Sequence, residues 1–454
     1  MTERDRRVRG ISRRAWLGGG AAGSVALLAA CAGPGAGQQP AAAPQQDLKG
    51  TTIDFWAWNG PAHPETLAVQ HLMEDFNTKN TAGIKVNFSA PSTGGQTTYE
   101  KYVTALTGGV PPDAAIGQHF YMSDLFRQGG LVDVESELKA NADWKKAKSG
   151  LSPEILTGGF TWTGKVYGVP YYSSHFAMYY QPELLKRAGL AAPPPKAWTW
   201  DQFVDYQKKA ATPPDVTGYD DQFSYSRAGM LVLNNGHRFM SADGTKFSYN
   251  SPEAVEAIDF QLNLVRQGLM RGHDGSASGG YSEKLPLGQV VFQFGVAARV
   301  LTYRKDGTQF GTTYFPIGKS SKDKKSVTHG EAYGVSVFKN KDARKQQAAL
   351  VAALWGTRPE MGLLIAREAG APPSYKYTVE DPAFQAEFKK DAETWPFYDL
   401  IPGFIPMPNF PGFGDVRTTG DKMIPDIWSG KGTTKQVLDE YTRLAQQRLD
   451  EVLR

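Results

Sequence analysis

The sequence predicts an α/β protein, and three observations carry that expectation. Strand-like and helix-like apolar periods alternate from Thr51 onward, the helices open on recognisable caps, and the size and composition leave room for a large core. The chain has 454 residues, 41% hydrophobic and 12% aromatic, with a single cysteine. That length is enough for two or three domains that need no covalent staples. Cys31 alone cannot form an internal disulfide, and the count excludes a zinc or iron–sulfur site built from several cysteines.

Taken in order, Thr51 to Trp58 is a β-rich run that stops at the turn signal Asn59-Gly60-Pro61. Val69, Leu72, Met73 and Phe76 then fall on one helical stripe. Ile84, Val86 and Phe88 alternate as a second strand. Tyr99, Tyr102, Val103 and Leu106 form a second helix ended by Gly108, and Ala114 to Ile116 is a third strand. This order implies right-handed crossovers and a mainly parallel sheet covered by helices. Further on, Thr199 with Gln202 forms a capping box, and Asp243-Gly244 marks a hairpin turn. Ser251-Pro252-Glu253 opens a helix with Val255, Ile258, Leu262 and Val265 inward. Asp342 caps a helix running to Trp355, and Thr433 with Gln436 opens the last helix, whose expected stripe is Val437, Tyr441, Leu444 and Val452.

Charge sits at one end. Lys+Arg number 50 against 46 Asp+Glu, a formal +4. Residues 1–30 hold the whole excess, in Arg4, Arg6, Arg7, Arg9, Arg13 and Arg14 against Glu3 and Asp5. The body has no bias toward polyanions, so no nucleic-acid partner is expected. A basic head, an uncharged stretch from Ala15 to Ala30 and small residues at its end are the parts of an export signal. Ser12-Arg13-Arg14-Ala15-Trp16-Leu17 resembles the twin-arginine motif, and Leu28-Ala29-Ala30-Cys31 resembles a bacterial lipobox. Residues 1–30 are therefore expected as a signal peptide with Arg13 and Arg14 as its recognition pair. Cys31 is expected to be lipidated, with residues 31–49, rich in Ala, Gly, Pro and Gln, as a flexible tether.

Chemistry-bearing motifs are sparse. Gly159 to Lys165 has phosphate-loop spacing, but Val166 stands where Ser or Thr would hold magnesium. The seven histidines show no metal-binding spacing, and neither metal nor cofactor is expected. Aromatics gather at chain turns instead: Trp56 and Trp58 at the end of the first strand, Tyr171 and Tyr172 after Pro170, Phe223 and Tyr225, then Phe404, Phe410 and Phe413. Strand ends and their loops form the ligand crevice of a parallel sheet, where rings can stack on sugar C–H faces.

The order of segments resembles the bacterial extracellular solute-binding proteins of family 1, receptors of carbohydrate ABC importers. The pieces are Pro112-Asp113-Ala114, Gln128-Gly129-Gly130-Leu131-Val132-Asp133 and Gly164-Lys165-Val166-Tyr167-Gly168-Val169-Pro170. Tyr179-Tyr180-Gln181-Pro182-Glu183-Leu184-Leu185, Ala188-Gly189-Leu190, Pro194-Pro195, Trp198-Thr199-Trp200-Asp201 and Ser251-Pro252-Glu253-Ala254 continue the series. The resemblance implies a periplasmic-binding-protein-like fold of two discontinuous α/β lobes, with a hinge and a ligand cleft between them. Lobe 1 would comprise residues 50–171 and 315–371, and lobe 2 residues 172–314 and 372–454. The last helix would then pack on lobe 2.

Ligand contacts implied by the resemblance come from Trp58 and Asn59, Gln118 and His119, Tyr172 and Ser173, and the strand-turn Phe294-Gly295. Gly330 and Glu331 on the return segment, then Phe413, Asp415 and Arg417, complete the set. Trp56 and Phe223 join it from the aromatic clustering. Many sugar receptors carry a tryptophan just after the strand-turn glycine, whereas this chain has Val296-Ala297-Ala298-Arg299. Arg299 would then pair with an acidic or phosphorylated ligand, such as a uronic acid or glycerol phosphate compound, or else with a neighbouring acid. The implied function is capture of a sugar, oligosaccharide or related solute by hinge closure and delivery to permease subunits, without catalysis. The receptor would be lipid-anchored on the outer face of the cell membrane. A lipid-anchored carbohydrate hydrolase or lyase is the competing class, and a receptor serving a sensor kinase shares the same sequence features.

Overall fold

Strand β1 (Thr52–Trp56) alternates, with Ile53 and Phe55 turned into the core. It pairs in parallel with β2 (Lys85–Ser89) on one side and β3 (Ala114–Gln118) on the other. Helices Pro64–Lys79 and Gly95–Thr107 make the crossovers, burying Val69, Leu72, Met73 and Phe76 from the first and Tyr102 from the second. The computed structural model describes residues 47–196, 198–273 and 283–454. Arg13, Arg14 and Cys31, with the readings placed on them, lie outside the described residues.

The phosphate-loop spacing falls on a hairpin of β4 (Thr161–Trp162) and β5 (Lys165–Val166), with no helix after it. Then β6 (Val169–Ser173) runs beside the first sheet, and after Ser174 and His175 the chain enters the second with β7 (Phe176–Tyr180). That sheet adds β8 (Thr217–Gln222), β9 (Met270–His273), β10 (Val290–Val296) and β11 (Gly311–Thr313). A short β12 (Thr328–Gly330) leads into β13 (Ala332–Val337), and β14 (Phe404–Pro406) pairs with β12. The orders are β2-β1-β3-β13-β6 and β11-β7-β10-β8-β9. Each sheet is mainly parallel, with four strands running one way and a single reversed strand. β13 lies antiparallel between β3 and β6, and β7 antiparallel to β10 and β11.

The strands β6 and β7 put the first crossing at Ser174 and His175, two residues after the expected boundary. The return comes later than expected. Ile317 still donates to Trp198 and accepts from Trp200, and Gly318 donates to Asn234. The first residue back in the first sheet is Ala332, some seventeen residues beyond the expected boundary at residue 315. Those backbone bonds hold residues 317–318 on the second lobe. After Pro372 the chain stays beside the first sheet, where Pro373 pairs with Tyr172, Tyr375 pairs with Leu151 and the Tyr375 hydroxyl donates to the Pro170 carbonyl; it meets the second lobe at Asp391, which pairs with Arg304.

Local signals account for the helix starts. Both capping boxes, Thr199 with Gln202 and Thr433 with Gln436, are formed, and Ser251 Oγ accepts from the Ala254 N–H at 3.2 Å. The last helix, Thr434–Leu453, packs against the second lobe's Pro252–Arg266 helix. Its buried stripe is Leu438, Tyr441, Ala445, Leu449 and Val452. The expected Val437 and Leu444 flank that stripe half-buried, because the helix faces two neighbours and rotates its seam by about one residue.

Candidate binding cleft

In the first sheet β1, β3 and β6 end at the edge where β13 begins, so their loops form one wall. The second sheet faces it with the start of β7 and the ends of β8 and β10. This is where an open α/β sheet presents its ligand crevice. Against the hinge, on the side of the second sheet, lies a cavity of about 250 Å³. Ser174 and Glu331 line it from the hinge, Phe176, Ser224, Ser226, Arg227, Phe294 and Val296 from the second lobe, and Arg417 and Asp421 from the helix Phe413–Trp428. A larger groove of about 680 Å³ runs past Trp200, Phe260 and Lys435, but it lies on the outer face of the second lobe alone.

The first wall is aromatic and closed. Trp58 is 2% exposed, its ring packed on Tyr102 at 5.9 Å and Tyr121 at 5.5 Å. Tyr121 stacks in turn on Tyr99 at 4.9 Å, and Trp56 leans on Tyr102 at 6.0 Å. Behind these rings, Asn59 Nδ2 donates to Glu65 Oε2 at 2.8 Å and the Tyr172 hydroxyl donates to the same oxygen at 3.1 Å. Burial, with the Glu331 charge adding to it, pushes the Glu65 carboxyl up to about 7 against those two donors. Tyr172 stacks on Tyr333 at 4.8 Å. Gln118 Nε2 donates to the Tyr333 hydroxyl at 2.9 Å, leaving its own Oε1 buried without a partner among the described residues.

The opposite wall is charged. Arg227 Nη1 sits 3.0 Å from Asp221, and its guanidinium lies 4.6 Å from the centre of the Phe294 ring. Arg417 reaches Glu331 at 3.3 Å and Asp421 at 3.9 Å, joining hinge and C-terminal helix across the cavity. Asp421 also accepts from the Tyr225 N–H at 2.9 Å.

Of the residues expected from sequence, Phe294, Glu331 and Arg417 line the cavity. Asn59, Gln118 and Tyr172 form the polar layer behind the first wall, whereas Trp56 and Trp58 belong to its frame. The structure places the others elsewhere. His119 is fully buried, accepting from the Ala332 N–H at 3.2 Å and donating to the Met407 carbonyl at 2.9 Å. Ser173 donates to His175 at 2.8 Å, and His175 donates to the Phe397 carbonyl at 2.9 Å, so both side chains are consumed in the hinge. Gly330 is there for room, since a Cβ would fall 1.9 Å from the Ser174 carbonyl oxygen. Gly295 likewise fits against the Tyr179 ring. Phe223 packs on Trp428 at 5.6 Å, and Phe413 is buried between Phe120 and Tyr225. Asp415 is exposed beside Arg448 on another face.

Arg299 is the main displacement. It pairs with Glu283 at 3.6 Å and lies over the Tyr303 ring at 5.2 Å. The Tyr303 hydroxyl donates to Gln293, one residue before Phe294 in β10. Side chains alternate along a strand, so Arg299 stands on the opposite face of the sheet from Phe294 and Arg227. Arg227 holds the cavity position instead. A sequence signal for it existed in Asp220-Asp221: two adjacent acids in one strand each need a cation, one per face. Lys284 serves Asp220 at 2.9 Å and Arg227 serves Asp221. Ser174, Ser224, Ser226, Asp421 and Glu65 carried no comparable signal. Among the described residues, no three or more His, Cys, Asp or Glu are grouped to hold a metal ion.

A sequence model of the bacterial extracellular solute-binding proteins matches residues 60–361. The chain belongs to this family. A putative binding protein of Brucella abortus is 22% identical over 436 residues, covering 94% of this chain and 97% of its own. The sn-glycerol-3-phosphate-binding periplasmic protein of Shigella flexneri is 24% identical over 311 residues, 63% of this chain and 68% of its own. The crystal structure of the cyclic α-maltosyl-1,6-maltose binding protein of Arthrobacter globiformis superimposes with a TM-score of 0.74 at 18% identity. It covers 88% of this chain and 99% of that one, which establishes the solute-binding fold of two α/β lobes.

Proposed function

We propose that this solute-binding protein is the extracytoplasmic receptor of an ABC importer. It captures a carbohydrate or carbohydrate-like solute between its lobes and presents the closed form to the permease. The observation that carries this reading is the hinge cavity, whose polar lining comes from the hinge segments, the second lobe and the helix Phe413–Trp428 at once. A solute touching Arg227, Glu331 and Arg417 together favours the closed arrangement, and ligand-dependent closure is the form of signal a permease can read. The relatives' names support this class: one binds glycerol phosphate and one a cyclic maltosyl sugar. The role is binding and release rather than turnover, and the charged side chains at the cavity hold one another.

Titration calorimetry against sugars, polyols and glycerol phosphates tests the reading. Saturable heat with no product, together with a smaller radius of gyration on binding, is the expected result. Steady product formation would move the protein to the enzyme class. We also place the mature protein on the outer face of the membrane, held by lipid on Cys31 after export through the Arg13-Arg14 signal. Cys31→Ala should then release it to the soluble fraction, and continued membrane association would remove the anchor.

A further inference from the structure

We propose that the solute in this cavity is compact and carries no net negative charge: a hydroxyl-rich molecule the size of a single sugar or polyol, neutral or cationic. The inference rests on the receptor reading and narrows its ligand.

Size comes first. The cavity is about 250 Å³, below the usual range of roughly 300 to 1,000 Å³ for pockets that enclose larger ligands. A chain of sugar rings would need aromatic faces leading away from it. Those faces are occupied: Trp58 and Tyr121 are packed against each other and their neighbours, and Phe223 and Phe413 are core residues.

Charge comes second. Two guanidinium groups face the cavity, and both already hold carboxylates: Arg227 holds Asp221, and Arg417 holds Glu331 and Asp421. Among the described residues, three acids therefore stand with two cations at the cavity before any solute enters. An anion would have to displace a carboxylate and then sit beside it, within a few ångströms of a like charge. A hydroxyl group has no such conflict, because it accepts from a guanidinium and donates to a carboxylate at the same time. The hydroxyls of Ser174, Ser224 and Ser226 also turn to the cavity and form no hydrogen bond among the described residues. An amino group in place of one hydroxyl would satisfy the surplus acid.

The test is calorimetry on the purified protein with sets that share a skeleton. Hexoses, pentitols and hexitols are compared with their 2-amino forms where these exist, with the matching uronates and phosphates, and with maltotriose. The tightest member should be a neutral or amino compound, with a dissociation constant at least tenfold below that of its uronate or phosphate. Asp421→Asn, which removes one acid, should narrow that gap severalfold. A uronate, a phosphate or maltotriose as the tightest ligand would overturn the proposal while leaving the receptor intact. So would the absence of binding by every compact neutral or amino member, or a gap unmoved by Asp421→Asn. Product accumulating from any probe would instead strike the receptor reading itself.

Discussion

The two walls of the cleft are built on opposite principles. The first is a stack of rings, Trp56, Trp58, Tyr102, Tyr121 and Tyr99, that satisfies itself and leaves little for a solute. The second, with the helix Phe413–Trp428, is a mesh of guanidinium groups, carboxylates and serines holding hydrogen-bonding capacity in reserve. The contrast separates framing from recognition. Aromatic packing fixes where the cleft is, and the charged mesh decides what enters. Around the hinge sit three fully buried histidines, His175 and His329 on the crossing segments and His119 directly after β3.

Acid should have the largest effect, because it attacks the part the two walls share. Burial holds each of the three histidines down to about 4, against an ordinary 6.5. The unfolded chain takes up protons from pH 6.5 downward while the folded chain resists until about 4. Stability is thus level above 6.5 and falls as pH drops through that window, by roughly 2–3 kcal/mol per histidine. Urea titrations at pH 7.5 and 4.5 should show both lobes weakening in a single transition; one lobe melting alone would mean that the hinge does not unite the walls.

Trp58→Ala comes next. It empties a core site and should cost about 3–5 kcal/mol in unfolding free energy. Unchanged stability with lost binding would make the first wall a recognition surface after all. Within the second lobe, Arg227→Ala should cost about 3–5 kcal/mol, because the buried Asp221 loses its guanidinium. Arg299→Ala should cost less than about 1 kcal/mol, since its partner Glu283 is 66% exposed. Equal effects on urea midpoints would erase the difference between the two faces of that sheet.

A pH effect of the opposite sign is expected at Glu65. Its folded carboxyl stays protonated up to about 7, while the unfolded one ionises near 4.5, so stability is lost as pH rises between those values. Glu65→Gln should therefore raise the unfolding free energy at pH 8 by roughly 2–3 kcal/mol and leave it unchanged at pH 4.

Periodicity and capping made much of the fold legible. The stripe Val69–Phe76 and the boxes at Thr199 and Thr433 needed only neighbours in sequence. What stayed hidden depends on partners far away. The return strand could not be placed from residues 314–316, because Ile317 is kept on the second lobe by Trp198 and Trp200. The same limit governed the site. Phe294, Glu331 and Arg417 followed from their positions in the resemblance, but whether an aromatic or a histidine faces solute or core is set by tertiary packing. His119 and Phe413 therefore read as ligand contacts and are interior residues. Arg299 and Arg227 differ only in which face of one sheet they reach, and their distance from the strand-turn did not reveal it.

The insertion of β13 between β3 and β6 also sets an order in time. Tyr333 pairs with Gln118 across 215 residues. Until that segment arrives, β3 and β6 stand as two open edges of an incomplete sheet, each able to pair with the wrong strand. The second sheet closes from β7 to β11 over a much shorter stretch of chain. Long-range closure is slow. The lobe whose chain begins first is therefore the one that finishes last.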